Sequence, residues 1–421
     1  MGMKMRFSNF ALVRRHLQCS STSSPRFPDV SMPLFRCSCL AARGPREVLH
    51  DDDAQQVLTS SVDLRLKSTT MQMYQANPHH YQVLVEIGSG FEELVVVNLA
   101  KHLPSRSLVA LRRVNLDSCS HENLSLLQGE LHTSQLFQHP NVLPYWATFI
   151  VEDELWAVTP LLEYGSARDL LSSRFPNGLP EGVIAHLLQE TLRGLDYVHR
   201  MGYIHRAVRA SHILVCREGR VRLSGLRCCL PLEGSGRRGT VAHSFPAHAH
   251  LSLPWFSPEL LRQNLQGYST KSDIYSVGIL ACELANGHVP FKDMPMTQML
   301  LEKLNGTVPC LLDVHTIPPE ELDANDELLS PHPYRRSFST AFHDFTNLCF
   351  RNDPNRRPTA ATLLNHQFFK QARRKFGEAL VDLLAPTAPL ADLAATPPVN
   401  HNGLDDVTAR LEQLQTDAWD F

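Results

Sequence analysis

His205-Arg206-Ala207-Val208-Arg209-Ala210-Ser211-His212-Ile213-Leu214 is the stretch on which the reading of this chain turns. It follows a strongly amphipathic run and a turn at Gly202, and it ends in apolar residues that read as a short strand. Its side chains restrict the chemistry open to it. The methyl group of Ala207 cannot accept a proton, and the imidazole of His212 is a poor ligand for a hard, oxygen-seeking cation. No Asp lies between His205 and Arg227 to take over either task.

Outward from that stretch, composition sets the frame. A chain of 421 residues holds one large or two ordinary domains, and 43% hydrophobic with 20% charged residues is a globular balance. A net charge of −3 argues against a nucleic-acid or anionic-membrane surface, so no nucleic acid and no membrane is expected as a partner. No apolar run approaches the roughly 18 residues of a membrane span. The 10 Cys are scattered without a Cys-x-x-Cys pair, which reads as reduced thiols of the cytoplasm or nucleus. His243, His248 and His250 have no acidic or thiol partner nearby and read as loop residues, so no metal site is expected.

Taken in order, residues 1–77 form an irregular extension, basic and Ser-rich up to Arg46. Its bias resembles an organelle transit peptide, but the favoured reading is a start that simply stays unfolded. From Tyr81 the texture changes to strand, Gly-containing turn and strand. In terms of the signature G-x-G-x-x-G-x-V, Gly88, Gly90 and Val95 match, while Glu93 replaces the third Gly and brings a repelling carboxylate over a phosphate site. Val109-Ala110-Leu111-Arg112 matches V-A-I-K with Arg in the Lys slot. Leu124, Leu127 and Leu131 mark an amphipathic helix on which Glu130 is placed to meet Arg112. Thr159 closes a buried strand, and Pro160 to Gly165 makes a hinge.

Beyond the hinge, Ile184, Leu187, Leu188, Leu192 and Leu195 share one helical face that leads into the opening stretch. The stretch itself has the outline H-R-D-L-x-x-x-N, with Ala207 for the Asp and His212 for the Asn. The D-F-G triplet falls on Gly225-Leu226-Arg227, so its metal-binding Asp is replaced as well. Ser257-Pro258-Glu259 matches A-P-E, and Glu259 is expected to pair with Arg357. Ser272 to Leu284 reads as a central helix apolar on nearly all sides, capped at Asn286-Gly287. Residues 313–336 read as a loop insertion and 385–403 as a tether.

In this order and at these spacings the motifs resemble a protein kinase over residues 81–369, which implies an α+β, bilobal fold with a small β-rich lobe and a larger helical one. The resulting organisation is an extension at 1–77, a kinase-like domain at 78–370 and a C-terminal tail at 371–421. More narrowly, Gly225-Leu226-Arg227, Asn286 to Met294 and the ending Trp419-Asp420-Phe421 resemble the Ste20-related adaptor (STRAD) family, in its alpha branch. That resemblance implies a pseudokinase that binds ATP without catalytic magnesium. It also implies a heterotrimer with the Ser/Thr kinase liver kinase B and an armadillo-like scaffold, and export of the partner kinase from nucleus to cytoplasm. The chain departs from the family pattern in residues 1–60 and in ending Trp-Asp-Phe rather than Trp-Glu-Phe.

With Arg112, Ala207, His212 and Gly225 replacing the catalytic Lys, Asp, Asn and metal-binding Asp, little is left to neutralise a phosphoryl-transfer transition state, and no enzyme is expected. The expected nucleotide site comprises Gly88, Gly90, Val95, Ala110, Arg112, Glu130, Arg209, His212, Leu214 and Arg227, with Arg112, Arg209, His212 and Arg227 as a metal-free clamp. A scaffold with an empty cleft is the alternative. Trp419 and Phe421 are expected to plug pockets on the scaffold protein, or else to fold back onto their own domain.

Overall fold

The strand alternation that begins at Tyr81 becomes a five-stranded antiparallel sheet in the order β1-β2-β3-β5-β4. The strands are β1 Tyr81–Gly90, β2 Val95–His102, β3 Leu108–Asn115, β4 Ala147–Val151 and β5 Glu154–Pro160. The computed structural model describes residues 73–90, 93–234, 237–238, 241–263, 265–316, 336–370, 376–385 and 387–395. The readings made for residues 1–72 of the N-terminal extension, for most of the 313–336 insertion and for Trp419 and Phe421 fall outside them, while Tyr74, read as part of the extension, is buried with Tyr81 against the sheet.

Helix α1, His121–Leu136, starts at Ser120, whose side chain accepts from the Asn123 N–H. Leu131 is buried in the small-lobe core, with Leu124 and Leu127 packed against it. That core also holds Ile87, Val95, Val97, Ala110 and Leu155 from the cleft face of the sheet. The antiparallel sheet and the helical part after the hinge make the bilobal kinase fold.

In the larger lobe, helix α2 spans Ala167–Ser173 and helix α3 spans Glu181–Arg200. Ile184, Leu187, Leu188, Leu192 and Leu195, the face read from the sequence, are all fully buried in the main core. Short strands β6 Tyr203–Ile204, β7 Ile213–Val215 and β8 Val221–Leu223 frame the opening stretch. Helix α4, Pro258–Arg262, precedes helix α5, Thr270–Asn286, which is buried from Ser272 onward. Gly287 ends α5 at φ 81°, and a Cβ there would sit 1.9 Å from the Pro176 carbonyl oxygen, so only Gly fits this cap. Helices α6 Met296–Asn305, α7 Thr340–Cys349, α8 Ala360–Leu363 and α9 Gln367–Lys370 complete the lobe.

Two stretches of the tail carry ordered structure that the sequence reading did not foresee. Helix α10, Phe376–Leu384, belongs to the packed body, because Leu380 and Leu384 are fully buried in the main core with residues of α3. Within the stretch read as a tether, Leu390–Ala395 forms a 3-10 helix against the small lobe. The tail of 371–421 therefore carries ordered structure as far as residue 395.

Candidate functional site

The cleft between the lobes contains two distinct features. The inner one is an apolar cavity walled by Ile87, Val97, Ala110, Arg112, Leu143, Thr159, Leu161, Leu162 and Leu214. Ala110, Arg112 and Leu214 are thus where the sequence placed them. Gly88 and Gly90 are not in a turn: both lie within β1, paired with Val97 and Val95 across the hairpin. Val95 is buried in the core, and Val97 takes its place in the cavity wall. Glu93 does not overhang the cleft. It adopts the left-handed backbone of the missing Gly, at φ 67°, and shares the outer face of the sheet with Glu86, Asn98, Arg113 and Glu154.

At the back of the cavity the expected ion pair is made. Arg112 Nη1 donates to Glu130 Oε1 at 2.8 Å, with both side chains at most 5% exposed. The Tyr145 hydroxyl donates to the same carboxylate oxygen at 2.5 Å, and the guanidinium lies 5.4 Å from the Tyr145 ring centroid. Burial pushes the Arg112 pKa down, Glu130 pulls it back up, and the nearby charge of Arg227 pushes it down again. Tyr145 was not identified from the sequence, since it carries no motif and reaches Glu130 only through the fold. Leu226 is buried with Phe137, Val142 and Val198, so α1 and the Gly225-Leu226-Arg227 turn are held in a closed arrangement.

The second feature is a cationic pocket lined by Arg206, Arg209, His212, Arg227 and His248, against Leu251, Ser252 and Phe256. It gathers three of the four residues expected to act as a clamp, Arg112 lying in the inner cavity instead, but two of the three also serve the protein itself. His212 is 1% exposed, its Nδ1 donates to the Ala207 carbonyl at 2.7 Å, and its Nε2 accepts from Arg209 Nη2 at 3.4 Å. Burial and the Arg209 charge hold its pKa well below the ordinary imidazole value, so the ring is neutral. Arg209 Nη1 donates to the Leu251 carbonyl at 2.7 Å, and its guanidinium lies 5.6 Å from the Trp255 ring centroid.

The loop is held by anchors with no place in the expected site. The Asp273 carboxylate accepts from the backbone N–H groups of His205 and Arg206, each at 2.8 Å, and contacts His199 Nε2 at 2.8 Å. Glu283 accepts from the Ala210 N–H and from Trp255 Nε1. Asp273 sat in a quoted helix whose interior location was legible, while its partners were not.

Gly225, read as standing in the place of the D-F-G Asp, has φ 83°, and a Cβ built there would lie 2.7 Å from His212 Nδ1. The backbone and the imidazole together occupy the volume a side chain would need. Ala207, 1% exposed, adjoins the same imidazole through its carbonyl. Among the described residues, no three His, Cys, Asp or Glu side chains gather as a metal site.

Residues 81–369 match the protein kinase domain family. Over 363 residues the chain is 53% identical to human STE20-related kinase adapter protein alpha, covering 81% of this chain and 84% of the relative. The bovine alpha protein is 52% identical over 363 residues, covering 81% and 97%. The human beta protein is more distant, at 42% over 335 residues, covering 74% and 80%. With a kinase fold, a cleft rebuilt around His212 and Gly225, and this degree of likeness, the chain belongs to the STE20-related kinase adapter family, on its alpha side.

Proposed function

We propose that this chain is a catalytically silent pseudokinase adaptor that binds ATP without magnesium. In that state it allosterically activates and relocalises a partner Ser/Thr kinase, liver kinase B, between nucleus and cytoplasm. The heterotrimer is completed by an armadillo-like scaffold engaged through Trp419 and Phe421. The observation that carries the reading is the contact between His212 and Gly225, which fills the space where two metal ligands would stand. Phosphoryl transfer depends on a base for the incoming hydroxyl and on cations at the phosphates, and Ala207, His212 and Gly225 supply neither base nor metal ligand. A closed small lobe, with Arg112 paired to Glu130, is the form in which such an adaptor would present itself to a partner.

The cleft fits the nucleotide in two parts. The apolar cavity with Ala110, Thr159 and Leu214 suits a flat aromatic ring, and Arg112 and Arg227 supply positive charge toward its polyphosphate. Bound ATP would add a tetraanion that these cations neutralise without a metal ion. His212 supports this as a packing group, with its nitrogens engaged internally.

Thermal melts with ATP in EDTA or in magnesium test the reading. The expected result is the same stabilisation in both, about 2.7 kcal/mol at 100 times the dissociation constant. Arg227→Glu should remove it. Strict magnesium dependence would overturn metal-free binding. No shift at millimolar ATP would favour an empty-cleft scaffold, the reading that the engagement of Arg209 by Leu251 supports.

A further inference from the structure

The chain continues in contact with the folded body after the kinase-domain match ends at residue 369. Leu380 and Leu384 anchor α10 in the main core. The Thr387 N–H then bonds to the Leu384 carbonyl at 2.7 Å, and Pro389 is buried. At the hinge the Leu390 N–H donates to the Glu163 carbonyl at 2.8 Å. The 3-10 helix Leu390–Ala395 follows beside β1 and β2. Leu390 and Leu393 pack on the small-lobe cluster that includes Ile87, Val97, Leu162 and Leu214. Those four residues also wall the apolar cavity, yet neither Leu390 nor Leu393 lines it. The segment packs on the cluster whose residues wall the cavity and takes no part in its lining.

We propose that Pro389–Ala395 is a lid carried in cis, holding the small lobe down at the hinge and slowing the escape of nucleotide from the cavity. This inference rests on the nucleotide reading of the cleft. The segment is tied to three parts of the molecule at once: to α3 through α10, to the hinge through Glu163, and to the sheet through Leu390 and Leu393. Rotating the small lobe open pulls the two leucines away from β1 and β2, so apolar surface is re-exposed to water as the cleft opens. Nucleotide leaving the cavity therefore has to break contacts that it does not itself make.

The test is the release rate of a fluorescent ATP analogue, followed by stopped-flow displacement with excess unlabelled ATP from the full chain. Leu390→Ser with Leu393→Ser should release the analogue at least about tenfold faster. The nucleotide-free protein should stay folded, because α10 stays anchored, and melt only modestly lower for the lost leucine packing. If the double variant folds poorly, a chain ending at Thr387 makes the same comparison with α10 intact. An unchanged release rate overturns the lid while leaving the nucleotide site standing. Slower release or tighter binding by either variant also overturns it, since the segment would then be a competitor for the cavity. Failure of the native chain to bind the analogue removes the nucleotide reading and the lid with it.

Discussion

A carboxylate restored at position 225 would meet His212 before it met a metal ion. The backbone there is left-handed, at φ 83°, and the nearest imidazole atom is 2.7 Å from where a Cβ would lie. Gly225→Asp should therefore cost about 1–3 kcal/mol in urea unfolding, from backbone strain and from displacement of the ring. Adding His212→Asn should recover part of that loss, with a coupling of at least about 0.5 kcal/mol. Additive costs would show that the two positions do not compete for space. The same buried imidazole, together with His205, makes stability depend on pH. His205 Nε2 is bonded to the Ser224 carbonyl at 2.9 Å and its Nδ1 accepts from the Ala207 N–H, while burial lowers its pKa to about 4. Burial first, and then the Arg209 charge, lowers His212 as well. Both are neutral in the folded protein, whereas the unfolded chain takes up protons as pH falls below the ordinary 6.5. The unfolded state binds more protons in the window from about 6.5 down to about 4, so stability is full above it and declines as pH drops through it. Each such His contributes a slope of about 1.4 kcal/mol per pH unit. His102 and His139, also lowered chiefly by burial, act in the same direction. Urea midpoints between pH 7 and pH 5 should fall steeply, and less steeply in His212→Asn. A flat profile would mean that these rings are not buried neutral.

At the scale of elements, two ion pairs tie helices to their surroundings. Arg112 joins β3 to α1 through Glu130, and Arg357 holds α4 through both oxygens of Glu259, at 2.6 and 2.9 Å. Removing one partner of such a pair strands a buried charge. Arg112→Ala should cost about 3–5 kcal/mol in denaturant unfolding, and Tyr145→Phe about 1 kcal/mol. A loss under about 1 kcal/mol for Arg112→Ala would place the pair in a wetter site than its burial indicates. Both pairs were legible because each partner sits in a motif with its own position in chain order. Tyr145 was not, because its contact depends on packing with no local signal. The cavity wall was legible only in part. Irregularities in β1 between Val83 and Val85 and between Glu86 and Gly88 reset which side chains face the cleft. Val95 and Val97 are two residues apart and share the cleft face of β2, and it is Val97, one pleat further along, that lines the cavity where residue counting had chosen Val95. The same alternation carries Glu93 to the outer face with Val96 and Asn98.

At the scale of the whole molecule, the kinase-like architecture was legible from motif order, because buried helices and paired strands leave long apolar periodicities. Where the folded body ends was not. Residues 385–403 are rich in Ala, Pro and Leu without a clear period, so nothing local distinguished docking from a tether, and the i,i+4 pair Leu380 and Leu384 before them is too short a pattern to mark a docked helix. What decides their location is the apolar surface already present on α3 and on the small lobe, which only the assembled fold reveals. Leu380 and Leu384 are both fully buried there, and α10 covers main-core residues that would otherwise face water. Leu384→Ala should therefore destabilise the protein by about 2–5 kcal/mol, the range for emptying a core leucine site. A chain ending at Lys370 should lose at least as much, since it removes both leucines and exposes their partners on α3. Val381→Ala, on the outward side of the same helix, should change stability by less than about 0.5 kcal/mol, because Val381 is 37% exposed. Thermal melts of the three chains make the comparison. Equal melting temperatures for the native chain and the one ending at Lys370 would return the domain boundary to residue 370, and α10 would then be a passenger on a core complete without it.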